Sequence, residues 1–135
     1  MKYLMKKIKV MVDLSATLIH HGHVRLLKKA KKYGEVVVAL TTDKQILKYK
    51  KYLPELKFKQ RKEILEEFKS VKKVIQSDWL ITQKFLDKNK VDILISGSDY
   101  KKRKFKIRTI NFKRTKNISS SLLRKKSAKI LKYKI

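Results

Sequence analysis

The chain has 135 residues, enough for one domain with a buried core and too few for two comfortable ones. It contains no cysteine, which excludes disulfides and thiolate metal sites. Its formal charge is +27, from 38 Lys and Arg against 11 Asp and Glu, so nucleic acid and anionic membrane surfaces are the first partners to consider. Only six of these cations are arginine, and lysine runs through every segment, a composition that an AT-rich genome would also produce. Apolar runs such as residues 36–40 fall far short of the roughly 20 residues of a membrane-spanning helix. The basic start, Met1 to Lys7, lacks the sustained apolar stretch of a secretory leader. A cytoplasmic protein is expected.

In chain order, Ile8, Val10, Met11 and Val12 suit a buried strand. Val24, Leu26, Leu27, Ala30 and Tyr33 predict one apolar face of a helix, with Gly34 as its stop. Between the two stands His20-His21-Gly22-His23, an H-x-G-H pattern at a strand-to-helix turn. A helix N-terminus offers an anion unpaired N–H groups and partial positive charge. Gly22 leaves the backbone open to phosphate. His20 and His23, three apart where a helix turn begins, can aim both imidazoles at one ligand. Such a pair would stabilise charge on a phosphorus atom under in-line attack, with no need of a nucleophilic side chain. Zinc is the competing use of clustered histidines, but no cysteine or His₂Glu arrangement accompanies them, and no protein-built metal site is expected.

Glu35 to Leu40 is a near-continuous apolar run, typical of a parallel strand covered on both faces, and Thr41, Thr42 and Asp43 follow as helix-cap candidates. Residues 48–59 are polar, basic and interrupted by Pro54, which predicts a functional loop beyond the sheet. Ile64, Leu65, Phe68 and Val71 predict a helix from Lys59 to Phe68, before a short strand over residues 73–76. Asp78 is a cap candidate for a helix presenting Ile81, Phe85 and Leu86, and Val91 to Ile95 is the next buried strand, ending at Ser96-Gly97-Ser98-Asp99. Residues 101–135 carry fifteen Lys or Arg and no acid. There Phe105, Ile107, Ile110 and Phe112 predict a last strand, and Ile118, Leu122 and Leu123 a terminal helix capped within Ser119 to Ser121. This alternation predicts an α/β fold over residues 1–135: a single-domain, Rossmann-like parallel sheet with helices on both faces and its ligand beyond the strands' carboxyl ends.

Three segments in this order resemble one family. Val12-Asp13-Leu14-Ser15-Ala16-Thr17-Leu18-Ile19-His20-His21-Gly22-His23 is similar to the first motif of the cytidylyltransferase-like nucleotidyltransferases. Ser96-Gly97-Ser98-Asp99-Tyr100 resembles their G-D-D-W segment, and Arg114-Thr115-Lys116-Asn117-Ile118-Ser119-Ser120-Ser121 their R-T-E-G-I-S-T/S-T signature. The resemblance runs from about Ile8 to Arg124 and is greatest to glycerol-3-phosphate cytidylyltransferases and the cytidylyltransferase domains of phosphonate pathways.

The resemblance implies transfer of CMP from CTP to the phosphate or phosphonate of a small acceptor, with release of diphosphate. It also implies Mg²⁺ on the triphosphate and a homodimer. Carried onto this chain, His20 and His23 would touch the triphosphate, and Lys50 or Lys51 would neutralise its charge. Ser15, Ala16, Gly22, Arg61, Asp99, Arg114, Thr115, Ser119 and Ser120 would line the nucleotide site. Bland readings stand beside these roles: Asp99 and the serines suit ordinary caps, and any one lysine suits a solvated surface.

The sequence departs from the family pattern at Asp13 and Leu14, near a glycine of the relatives, and at Thr17, which replaces their aspartate. Ser98 and Tyr100 replace the first aspartate and the tryptophan of G-D-D-W. Lys116-Asn117 replaces Glu-Gly, where asparagine tolerates a left-handed backbone. An ATP-dependent adenylyltransferase and a non-catalytic relative binding RNA through the basic C-terminal third are the alternatives.

Overall fold

The computed structural model describes residues 6–97 and 104–133; Met1 to Met5 and the Ser98, Asp99 and Tyr100 of the second motif lie outside the described residues. The elements are β1 (Lys9–Leu14), α1 (His21–Lys31), β2 (Glu35–Thr41), α2 (Asp43–Lys50), α3 (Phe58–Glu66), β3 (Val71–Ser77), α4 (Gln83–Lys88), β4 (Ile93–Ser96), β5 (Arg108–Asn111) and α5 (Ser120–Lys132). All four strand pairings are parallel, in the order β3-β2-β1-β4-β5. The chain winds outward from β1 through β2 to β3, then returns to lay β4 and β5 on the other side of β1. A crevice therefore opens beyond the carboxyl ends of β1 and β4, where successive connections diverge.

Period-two alternation between two covered faces explains why the inner strands are apolar at most positions, with Asp13, Thr41 and Ser96 as buried polar exceptions toward their carboxyl ends. Val10, Val12, Val36, Val38, Ile93 and Ile95 face one layer with Leu27 and Ala30 of α1 and Leu65 of α3. Met11, Ala39 and Leu94 face the other, with Leu86 of α4, Ile81 and Val91. Helices thus cover both faces of the sheet, as expected from the sequence.

Several local expectations are corrected. On α1, Val24 is exposed, and the buried stripe is Leu27 and Ala30. Gly34 is not the helix stop, since α1 ends at Lys31 with Lys32 as a right-handed cap. It is needed instead where the chain passes Ile8, because a Cβ there would strike the Ile8 carbonyl oxygen, which accepts the Glu35 N–H at the start of the β1–β2 ladder. The expected 48–59 loop shrinks to 51–57, because Thr42 caps α2 through the Gln45 N–H and the helix runs on to Lys50. On α3 the buried positions are Arg61 and Leu65, while Ile64 is exposed and Val71 opens β3. Thr82, not Asp78, caps α4. Ser119 caps α5 as expected, accepting the Leu122 N–H, and Asn117 takes a left-handed backbone with φ 62°.

Candidate active site

A cavity of about 320 Å³ occupies the crevice, within the range of small-molecule sites. The turn after β1 forms one wall. There Ala16 adopts φ 45°, a conformation a non-glycine residue avoids, and the Ser15 carbonyl before it is held from behind. Arg61 donates to Ser15 O at 2.6 Å, to Thr41 O at 3.0 Å and to Leu56 O at 3.0 Å, and pairs with Asp43 at 2.6 Å. It is fully buried and does not line the cavity, which corrects the expectation that it contacts nucleotide. Its guanidinium is committed to gathering the ends of β1 and β2 and the 51–57 loop.

The H-x-G-H segment begins α1 with an unusual cap. His20 is the N-cap residue, and its Nδ1 accepts the Gly22 N–H at 3.0 Å. His23 reaches back so that its Nδ1 accepts the His20 N–H at 3.1 Å, a reciprocal capping box made of imidazoles. The ring centroids lie 4.0 Å apart. With Nδ1 an acceptor in both rings, each neutral imidazole carries its proton on Nε2. Burial, then the neighbouring His20, pushes His23 down to about 3, and burial, then His21, lowers His20. Gly22 serves His20 directly: a Cβ would come within 2.7 Å of its ring, so any side chain would displace it.

The start of α5 arrives from the opposite side. Ser120 Oγ accepts from Leu18 N at 3.1 Å and donates to Leu18 O at 2.9 Å, stapling α5 onto the first-motif turn. Two helix N-termini therefore meet one cavity, whose wall includes His20, Gly22, His23, Ser119 and Ser120. Ser15, Ala16, Arg114 and Thr115 also line this cavity. Lys50 lines the cavity, with Nζ 5.6 Å from the Trp79 ring, whereas Lys51 does not; it ends α2 in a left-handed conformation with φ 65°. Asp99 lies outside the described residues.

Sequence reasoning missed Arg25, Lys29, Trp79 and Lys113 in the wall. The first two were readable, since Gly22, Arg25, Leu26 and Lys29 follow helical spacing along α1. Trp79, stacked on Tyr49 at 5.5 Å, offered no periodic signal. Among the described residues the wall carries five cationic side chains, Arg25, Lys29, Lys50, Lys113 and Arg114, against the one carboxylate of Asp13. It is built for a polyanion.

The match to known proteins is decided by a family model described as cytidylyltransferase-like, which fits residues 16–126. The chain belongs to the cytidylyltransferase-like family. A glycerol-3-phosphate cytidylyltransferase of Staphylococcus aureus is 34% identical over 115 residues, covering 79% of this chain and 85% of the relative. Its counterpart in Bacillus subtilis is 30% identical over 118 residues, covering 82% and 90%. An FAD synthase of Ferroglobus placidus is 33% identical over 91 residues, covering 67% and 59%. Among solved structures, a lipopolysaccharide core biosynthesis protein from Thermoplasma volcanium shares the fold, with a TM-score of 0.71, 23% identity and coverage of 82% of this chain and 99% of that one. Among the described residues of this cytidylyltransferase-like chain, no helix is long and apolar enough to cross a membrane.

Proposed function

We propose that this chain transfers the CMP group of CTP to the phosphate of a small acceptor, releasing diphosphate. The observation that carries the reading is the imidazole capping box: it spends both Nδ1 atoms on the helix and leaves Nε2–H as the ring donor of two side chains in the cavity wall. An acceptor phosphate oxygen, already ionised at neutral pH, attacks the α-phosphorus as the bond to the β-phosphate oxygen breaks and diphosphate leaves. No general base is required. His20, His23, Lys50 and the two helix N-termini would hold the triphosphate in line and offset the charge that builds on the α-phosphoryl oxygens.

Glycerol 3-phosphate is the leading acceptor and a short aminoalkyl phosphonate the second. Similarity to glycerol-3-phosphate cytidylyltransferases over most of both chains supports the first, and so does the wall's charge, because among its described residues cations outnumber acids. Mg²⁺ fits as an ion carried on the triphosphate. Asp13 is among the residues of the cavity wall, and its carboxylate would be the protein group there for an ion that substrate phosphates already hold. Such an ion would further neutralise the triphosphate. The reading includes a homodimer in the cytoplasm.

Diphosphate release with CTP or ATP, against a panel of small phosphates and phosphonates, tests the assignment. CTP-dependent release with glycerol 3-phosphate is the expected result, and no release with any pair would end the enzyme reading. Turnover of ATP alone would favour adenylyl transfer, the reading supported by similarity to FAD synthases. Steeply salt-dependent RNA binding without turnover would instead favour a role for the exposed lysines of α5, Lys125, Lys126, Lys129 and Lys132.

A further inference from the structure

We propose that Arg124 and Glu55 are positioning residues for this transfer, clasping the 51–57 loop and Thr17 against the cavity; the proposal rests on the CTP-dependent reading above. Arg124, on α5, meets Glu55 two-pronged, with Nε to Oε2 at 2.5 Å and Nη2 to Oε1 at 2.6 Å. Nη2 also donates to Thr17 Oγ1 at 3.3 Å, and the guanidinium lies 4.3 Å from the centre of the Tyr52 ring. Tyr52 Oη stands 3.5 Å from the same Thr17 hydroxyl. One side chain thus joins the first-motif turn, the loop and the last helix, segments 69 and 107 positions away in the chain.

The joined groups bear on the cavity. Thr17 is 1% exposed and lines the wall between left-handed Ala16 and Leu18, whose backbone Ser120 grips. Lys50 immediately precedes the clasped loop. Arg61 holds that loop at Leu56, and Arg124 holds it at Glu55 and Tyr52, so the segment leaving Lys50 is pinned from two directions. Hydrogen bonds from Arg124 keep the Glu55 carboxyl below its ordinary range, against the opposing effect of burial, and the pair stays ionised at neutral pH. The two side chains are 29% and 40% exposed, so the pairing adds little to global stability. Its effect belongs in placement of the wall, which transfer at an in-line centre feels strongly.

Steady-state CTP turnover by Glu55→Gln, Arg124→Gln, the double variant and Arg124→Lys, with thermal midpoints, tests this. Each single Gln variant is expected to lower kcat about tenfold with the acceptor KM within about twofold. The double variant should be no slower than the slower single, as for two parts of one device. Lysine should not rescue, because one ammonium cannot span both carboxylate oxygens and Thr17. Midpoints should move by less than about 3 °C. Unchanged kinetics in Glu55→Gln, losses that multiply in the double variant, or restoration by lysine would overturn the proposal. Should Arg124→Gln fail to fold, Glu55→Gln, which removes only the charge, decides the matter alone. A wild-type protein that releases no diphosphate would sink the underlying function reading, and the positioning role with it.

Discussion

The backbone N–H of His20 donates to Nδ1 of His23 at 3.1 Å, and this contact makes one imidazole of the proposed phosphate site part of the helix cap. Nδ1 serves the fold, and in the proposed function Nε2 serves the ligand. The two duties can be separated by substitution.

His23→Asn offers the His20 N–H an amide oxygen near the place of Nδ1 but removes the Nε2–H. Diphosphate release should fall on the order of a hundredfold or more, the usual cost of losing one donor to a developing oxyanion, with urea stability little changed. His23→Ala should lose the same activity and a further ~1 kcal/mol of stability with the cap. Wild-type turnover by His23→Asn would contradict the assigned role.

Stability should fall on mild acidification. His23 titrates at about 3 in the folded chain, and about 6.5 is the ordinary value expected once unfolded. Between these values the unfolded chain binds more protons, so a contribution present above pH 6.5 is lost progressively as pH drops toward 3. From pH 6.5 to 5 the loss from His23 is about 2 kcal/mol. Urea unfolding at pH 7, 6 and 5 should show it, and His23→Asn should flatten the dependence. An unaltered slope would assign the titration to other groups.

Arg61→Ala should cost about 3–5 kcal/mol, because it removes a fully buried ion-pair partner of Asp43 and leaves the Ser15, Thr41 and Leu56 carbonyls without this donor. Denaturant midpoints check this. A variant of normal stability with a raised KM for CTP would instead return Arg61 to the nucleotide.

The adjacent lysines should separate cleanly. Lys50→Ala should lower kcat/KM for CTP about 10- to 100-fold, since its side chain lines the cavity. Lys51→Gly should leave kinetics within about twofold and raise stability by roughly 0.5–1 kcal/mol, because φ 65° suits glycine better than lysine. Equal losses at both positions would show that the loop rearranges when substrate binds.

Much of the site was legible because its signals are local. Strand apolarity, the H-x-G-H turn and the Ser119 cap each depend on residues within a few positions of one another, and each is found where the pattern placed it. Boundaries were less legible: Gly34 looked like a helix stop and Asp78 like a cap, yet tertiary contact with Ile8 and the Thr82 hydroxyl took over those positions. Arg61 shows the same limit. An arginine on a helix near a phosphate site reads as a ligand contact until three backbone carbonyls and Asp43 are found around it.

Taken alone, the order of residues determined the parallel α/β layering, because side chains that alternate between two buried faces are apolar at nearly every step, and it determined the imidazole pair at the first helix start. Only the folded arrangement decided which lysine reaches the cavity, that Arg61 braces rather than binds, and that Arg124 closes on Glu55 and Thr17. Those outcomes depend on distances between segments that lie 46 to 107 positions apart, and no short-range periodicity encodes them.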